Sequence, residues 1–157
     1  ISISGDGNTM AVGAPHESSD AKGINGDQNN DRSYSSGAVY VFTRAGNGAW
    51  TQQAYVKASN PGDGDDFGHV VALSADGNTM AVSAYYESSG SKGINGDQNN
   101  DNVPQSGAVY VFTRAAGRWT QQAYIKASNT GEAGEGDNFG DGDQFGFSLA
   151  KIGRAHV

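Results

Sequence analysis

A chain of 157 residues with 36% hydrophobic content has the length of one ordinary domain and enough apolar material for a modest core. Its formal net charge of -7, carried by 13 Asp against 4 Glu, argues against nucleic acid or an anionic membrane as partner, since phosphate would be repelled; divalent cations are the natural counter-charge. The absence of Cys excludes disulfide staples, zinc–thiolate clusters and thiol nucleophiles, and no run of 18 apolar residues offers itself for membrane insertion.

In chain order, the apolar pieces are of strand length and are separated by Gly, Asp, Asn and Ser, with almost no helix expected. ISGDGNTMAVGA from Ile3 reads as a hairpin around Asp6-Gly7-Asn8, GAVYVFTR from Gly37 as a third strand, and WTQQAYVKASN from Trp50 as a fourth. Every phrase then returns. LSADGNTMAVSA begins at Leu73, GAVYVFTR at Gly107 and WTQQAYIKASN at Trp119, at offsets of 70, 70 and 69 residues. In the strand from Ala108, Val109 and Val111 share one face while Ala108, Tyr110 and Phe112 share the other. Both faces are apolar, so the strand is expected to be covered on both sides. The run from Trp119 carries Gln and Lys, which places it at the outer edge of a sheet. A unit of about 70 residues is long for a propeller blade, and the excess lies in the loop from Tyr85 to Ser106. A β-sandwich also uses short strands, but it has no need to repeat a whole unit, so the propeller is preferred.

The expected organisation is a partial first blade over residues 1–66, lacking the start of its first strand, and a complete second blade with linker over 67–144. The start of a third blade follows over 145–150. Residues 151–157, KIGRAHV, leave the pattern and are expected to be a non-native tail; Ile152 to Val157 back-translate to a string that looks like sequencing adapter. Two blades without ring closure expose sheet faces, which predicts marginal stability or self-association.

The Phe67-Gly68 pair, the Gly13-Ala14-Pro15 tripeptide and the GAVYVF strands together resemble FG-GAP repeats, the blades of integrin-alpha-like propellers. The likeness spans residues 1–150, with Ser83-Ala84-Tyr85 as the departure in the second copy. It implies a ring of about seven blades, export to the cell surface or beyond, calcium in some blades, and a role in adhesion or other protein contacts. The family's calcium loop, of Asp-x-Asp-x-Asp-Gly type, belongs in the first hairpin. Here that hairpin holds only Asp6-Gly7-Asn8 or Asp76-Gly77-Asn78, too few oxygens for calcium and suited to a plain turn.

The candidate calcium ligands lie in the long loop instead: Asn25, Asp27, Asn29 and Asp31 in GINGDQNND, repeated as Asn95, Asp97, Asn99 and Asp101. Oxygen donors on alternate residues can wrap a hard cation, with Gly26 or Gly96 allowing a bend. The loop is not an EF-hand, because its sixth position is Asn30 and its twelfth Ser36. The stretch from Lys22 to Asp31 is identical to that from Lys92 to Asp101 while its neighbours differ, which points to a ligand, to packing on the adjacent blade, or to recent duplication. Two further acidic clusters, Asp63, Asp65 and Asp66, and Asp137, Asp141 and Asp143, differ in spacing and read as solvated linkers.

No catalytic residues are expected. His16 corresponds to Tyr86 and His69 to Phe147, so neither histidine is a shared base, and Trp50 and Trp119 read as packing between blades. The function expected is a non-enzymatic module of an exported or cell-surface protein, binding a protein or glycan ligand beside the remaining blades of the same polypeptide. The alternative is a propeller appended to a secreted hydrolase whose catalytic domain lies elsewhere.

Overall fold

A computed structural model describes residues 1–131 and 142–150. It is all-β: no helix occurs among the described residues, and none is therefore long and apolar enough to cross a membrane. Strands β1 (Ser2–Ile3), β2 (Thr9–Ala14), β3 (Ala38–Arg44) and β4 (Trp50–Val56) form one antiparallel sheet in the order β1-β2-β3-β4. Strands β5 (Val71–Leu73), β6 (Thr79–Ala84), β7 (Ala108–Ala115) and β8 (Arg118–Ile125) form a second sheet in the order β5-β6-β7-β8. Neither sheet closes into a barrel, and the pair is two consecutive blades of an open partial β-propeller.

The repeat extends to the register. Ala11 faces Val41 as Ala81 faces Val111, and the β3–β4 and β7–β8 ladders both slip just before the Phe, between Val41 and Phe42 and between Val111 and Phe112. Each first hairpin closes on its Asp. The Asp6 carboxylate accepts from the Ser4 hydroxyl at 2.6 Å and the Asn8 amide at 3.0 Å, while Gly7 takes a φ of 69°. These hydrogen bonds to the ionised form hold Asp6 down at about 2, and Asp76 is lowered by the same partners, Ser74 and Asn78.

The core lies between the sheets rather than within either. Val39, Val41 and Val56 from the first blade meet Met80, Val82, Tyr110 and Phe112 from the second, all fully buried, with Phe67 edge-on to Tyr110 and Phe112 at 5.3 and 6.1 Å. Of the third strands expected to be covered on both sides, the joint covers one face each, Val39 and Val41 of β3 and Tyr110 and Phe112 of β7, while Phe42 and Val111 on the opposite faces are half-buried. Beside the joint the first blade keeps only a small cluster of its own, Ala21, Ala38 and Tyr55 under the long loop, so burying the sheet faces against each other supplies most of the apolar driving force.

One glycine explains why the family phrases travel together. Gly37, at the head of β3, has a φ of 78°, and a Cβ there would lie 2.1 Å from the Phe67 carbonyl oxygen. Phe67 donates its amide to the Ser36 carbonyl at 3.2 Å. Gly107 makes the same approach to Phe145, whose amide donates to Ser106 at 3.0 Å. Thus the Gly that opens each GAVYVF strand exists to let the next Phe-Gly backbone lie on it.

Candidate functional site

Two regions, one polar and one aromatic, sit at the edge where the long loops and the inter-blade linkers meet. The first is a buried ion pair present in both blades. Lys57 donates its ammonium to Glu17 at 2.8 Å and to the Ser36 hydroxyl at 2.8 Å; Lys126 does the same to Glu87 at 2.7 Å and Ser106 at 2.6 Å. The Lys57 side chain is 0% exposed. This corrects the outer-edge reading of the lysines. Strand β4 ends at Val56, and the next residue turns beneath the long loop, where the Lys57 amide donates to the Gly23 carbonyl at 2.8 Å. Burial pulls both ammonium groups below the ordinary lysine range, opposed by the hydrogen bond and charge of each Glu. The signal available in the sequence was the Glu itself: of four in the chain, two occupy this same repeat position.

Asn60 joins the blades. Its Nδ2 donates to Glu87 at 3.2 Å and to the Gln98 carbonyl at 2.7 Å, and its Oδ1 accepts from the Tyr110 hydroxyl at 2.7 Å. Every hydrogen-bonding atom of the side-chain amide is therefore engaged with the second blade. Ser59 bonds the Gln98 side chain beside it. Farther out, Gln53 accepts from Arg114 at 2.9 Å and from the Trp119 indole at 3.1 Å.

The candidate calcium ligands divide by role. Asn25 takes a φ of 57°, its Oδ1 accepts from the Tyr55 amide at 2.9 Å, and its own amide donates to the Tyr55 carbonyl at 2.7 Å. Asn95 does the same with Tyr124. Both asparagines thereby extend the fourth strand's ladder by one residue. Asp27 and Asp97 each accept from the amide two residues on, Asn29 or Asn99, at 2.9 Å, and their carbonyls accept from Ser19 and Ser89. The side chains of Asn29, Asp31, Asn99 and Asp101 are exposed. Asn99 and Asp101 line a shallow inter-blade cleft together with Lys22, Asn60 and Gln98. Among the described residues no three His, Cys, Asp or Glu side chains converge as metal ligands.

Two of the three acids of the first linker are not solvated. Asp65 and Asp66 are buried where the linker threads between the blades; Asp65 accepts from the Gly62 amide at 2.7 Å, and Asp63 accepts from Ser33 at 2.8 Å. Burial pushes the Asp65 carboxyl up to about 7, against the pull of the Gly62 amide and helped by the charges of Glu87 and Asp101. Of the second cluster, Asp143 accepts from the Gly131 amide at 3.3 Å, while Asp137 and Asp141 lie outside the described residues.

The second region is an aromatic ledge. Tyr85 stacks on Tyr86 at 3.9 Å and on His69 at 4.1 Å, and Phe147, 62% exposed, continues the row at 5.9 Å from His69. Asp66 and His16 approach to 3.7 Å next to it. Ser35 also reaches His16, at 3.4 Å, but both contacts fall on Nδ1, so the ring cannot relay a proton from serine to carboxylate as a catalytic triad does.

Residues 50–112 match the FG-GAP repeat family. The chain carries an FG-GAP repeat. The matched stretch runs from β4 of the first blade into β7 of the second, so the matched unit spans the joint: Gln53, Lys57, Asn60, Phe67, Glu87 and Tyr110 all fall inside it. No curated protein and no solved structure matches the chain significantly.

Proposed function

We propose that this chain is a non-enzymatic propeller repeat module of an exported or cell-surface protein, binding a protein or glycan ligand at its loop edge. The observation that carries the reading is the division of labour between the two regions. The buried charged pairs recur in both blades and tie each long loop to the end of its fourth strand, a structural use. The aromatic ledge has no counterpart in the first blade, where Pro15 and His16 stand in place of Tyr85 and Tyr86, and it presents the exposed rings of His69 and Phe147 beside a carboxylate. Rings flanked by hydrogen-bonding groups suit the apolar faces and hydroxyls of a sugar, or an aromatic-anchored peptide. Calcium held by Asp27, Asn29 and Asp31, or by Asp97, Asn99 and Asp101, would stiffen the loops that frame this edge.

Thermal melting against a panel of soluble glycans and candidate surface proteins tests the ligand reading. A ligand that raises the melting temperature of the chain but not of Tyr86→Ala supports it, and a panel with no such ligand counts against it. For the metal, millimolar calcium is expected to raise the melting temperature and to lose that effect in Asp27→Asn/Asp97→Asn; an unshifted melt argues that the loops hold without it.

A further inference from the structure

The chain holds three Asn-Gly pairs, Asn25-Gly26, Asn47-Gly48 and Asn95-Gly96. Such a pair is chemically labile, because glycine has no side chain to shield its backbone nitrogen from the asparagine amide carbon. The fold treats the three differently. Asn25 and Asn95 each use their Oδ1 to accept from the amide of a fourth-strand tyrosine, at 2.9 and 3.0 Å, and donate their own amides back to its carbonyl at 2.7 Å. The glycines that follow are packed as well: a Cβ on Gly26 would lie 2.8 Å from the Ala21 Cβ, and one on Gly96 2.8 Å from the Ser91 Cβ. Closing a ring at either pair has to break the ladder contact first. Asn47 lies instead in the β3–β4 turn, exposed from Arg44 to Trp50, and a Cβ on Gly46 or Gly48 would meet nothing within 4 Å. Its Oδ1 accepts from the Ala49 amide at 3.1 Å, which curls the side chain over the Gly48 peptide and draws electron density from Cγ. The opposing contact is the Gly48 amide donating to the Ala45 carbonyl at 2.8 Å, a turn bond in water that opens at little cost. A neighbouring blade does not cover such a turn: from Ala115 to Arg118 the β7–β8 turn is exposed although the first blade lies beside it.

We infer that Asn47 is a site of spontaneous deamidation, and that the fold protects Asn25 and Asn95 from the same reaction. The Gly48 backbone nitrogen attacks the Asn47 Cγ. The new N–Cγ bond replaces the Cγ–Nδ2 bond, and the proton of the Gly48 amide leaves with Nδ2 as ammonia. The cyclic imide then takes up a solvent water at either of its carbonyl carbons. Opening gives aspartate or, with the backbone passing through Cγ, isoaspartate, and either product adds a negative charge to the turn. The modification is confined to the first blade's turn, because the shorter turn of the second, Ala115-Ala116-Gly117-Arg118, has no asparagine.

The test incubates the chain at mildly alkaline pH, below the melting transition read by circular dichroism, and follows the tryptic peptides 45–57, 23–32 and 93–114 by mass spectrometry. Electron-transfer fragmentation separates isoaspartate from aspartate and assigns the position. In the folded chain, conversion at position 47 is expected to run at least about tenfold faster than at 25 or 95, since those pairs must open first. In guanidinium chloride the three pairs are expected to convert at like rates. An Asn47 that stays intact in the folded chain, an Asn25 or Asn95 that converts as fast as Asn47, or the same ranking kept in denaturant would each overturn the inference.

Discussion

Tyr40 and Tyr110 stand at the same place in two sheets of nearly the same sequence, each beside the tyrosine of its own fourth strand, at 5.3 Å from Tyr55 and 5.2 Å from Tyr124. Only Tyr110 is fully buried and only Tyr110 meets an asparagine from a neighbouring blade. The same split separates Phe42 from Phe112, Trp50 from Trp119 and Glu17 from Glu87. Strand formation is thus a property of the single blade, while core formation is a property of the pair. In a repeat array, stability accordingly resides in the interfaces between neighbours more than in the units.

Breaking one half of the comparison at a time gives graded effects. The largest is expected for Lys126→Met, which strands the Glu87 carboxylate in the joint at a cost of about 3–5 kcal/mol. Lys57→Met should cost less, because Glu17 retains some contact with water; chemical denaturation of both variants compares them. Adding Glu87→Leu to Lys126→Met is expected to recover much of the loss. Next comes Phe112→Ala, at about 3 kcal/mol against about 1 kcal/mol for Phe42→Ala, since only the first leaves a cavity in the shared core. Asn60→Ala should cost about 2 kcal/mol by leaving Glu87, the Gln98 carbonyl and the Tyr110 hydroxyl short of a partner. Asn129→Ala, measured where the chain is monomeric, is expected to lie within about 0.5 kcal/mol of wild type.

The comparison is also sensitive to pH. The folded Asp65 carboxyl titrates near 7 and the unfolded one near 3.8, so the folded state holds the extra proton between those values. Stability is therefore highest below the unfolded value and falls as pH rises from there through 7, by about 1.4 kcal/mol between pH 6 and pH 9. Asp65→Asn should flatten that slope in thermal melts. An unchanged slope would show that the proton is lost elsewhere.

Much of the fold was legible because strands in a repeat are written twice. The hairpins around Asp6 and Asp76, the two-sided apolar pattern of the third strand and the unit length all follow from local spacing. The site was less legible, for a physical reason visible in three residue pairs. Lys57 and Lys126 look like solvent-facing charges until the long loop folds back over them to supply Glu and Ser. Asn25 and Asn95 look like metal-loop donors, but their side chains complete the ladder of a strand 30 residues away in the first blade and 29 in the second. Asp65 and Asp66 look like solvated linker acids, and only the approach of the next blade buries them.

The amino-acid sequence by itself determined the strands, their turns and the fact of repetition, because those depend on side-chain alternation and on residues that tolerate tight bends. It also set the chemical types at the joint, since each polar partner is present in both copies. Only the tertiary structure decided which copies are used. Burial depends on what lies against a surface, so identical residues in the two blades become core and anchor on one side, and exposed aromatic and polar groups on the other.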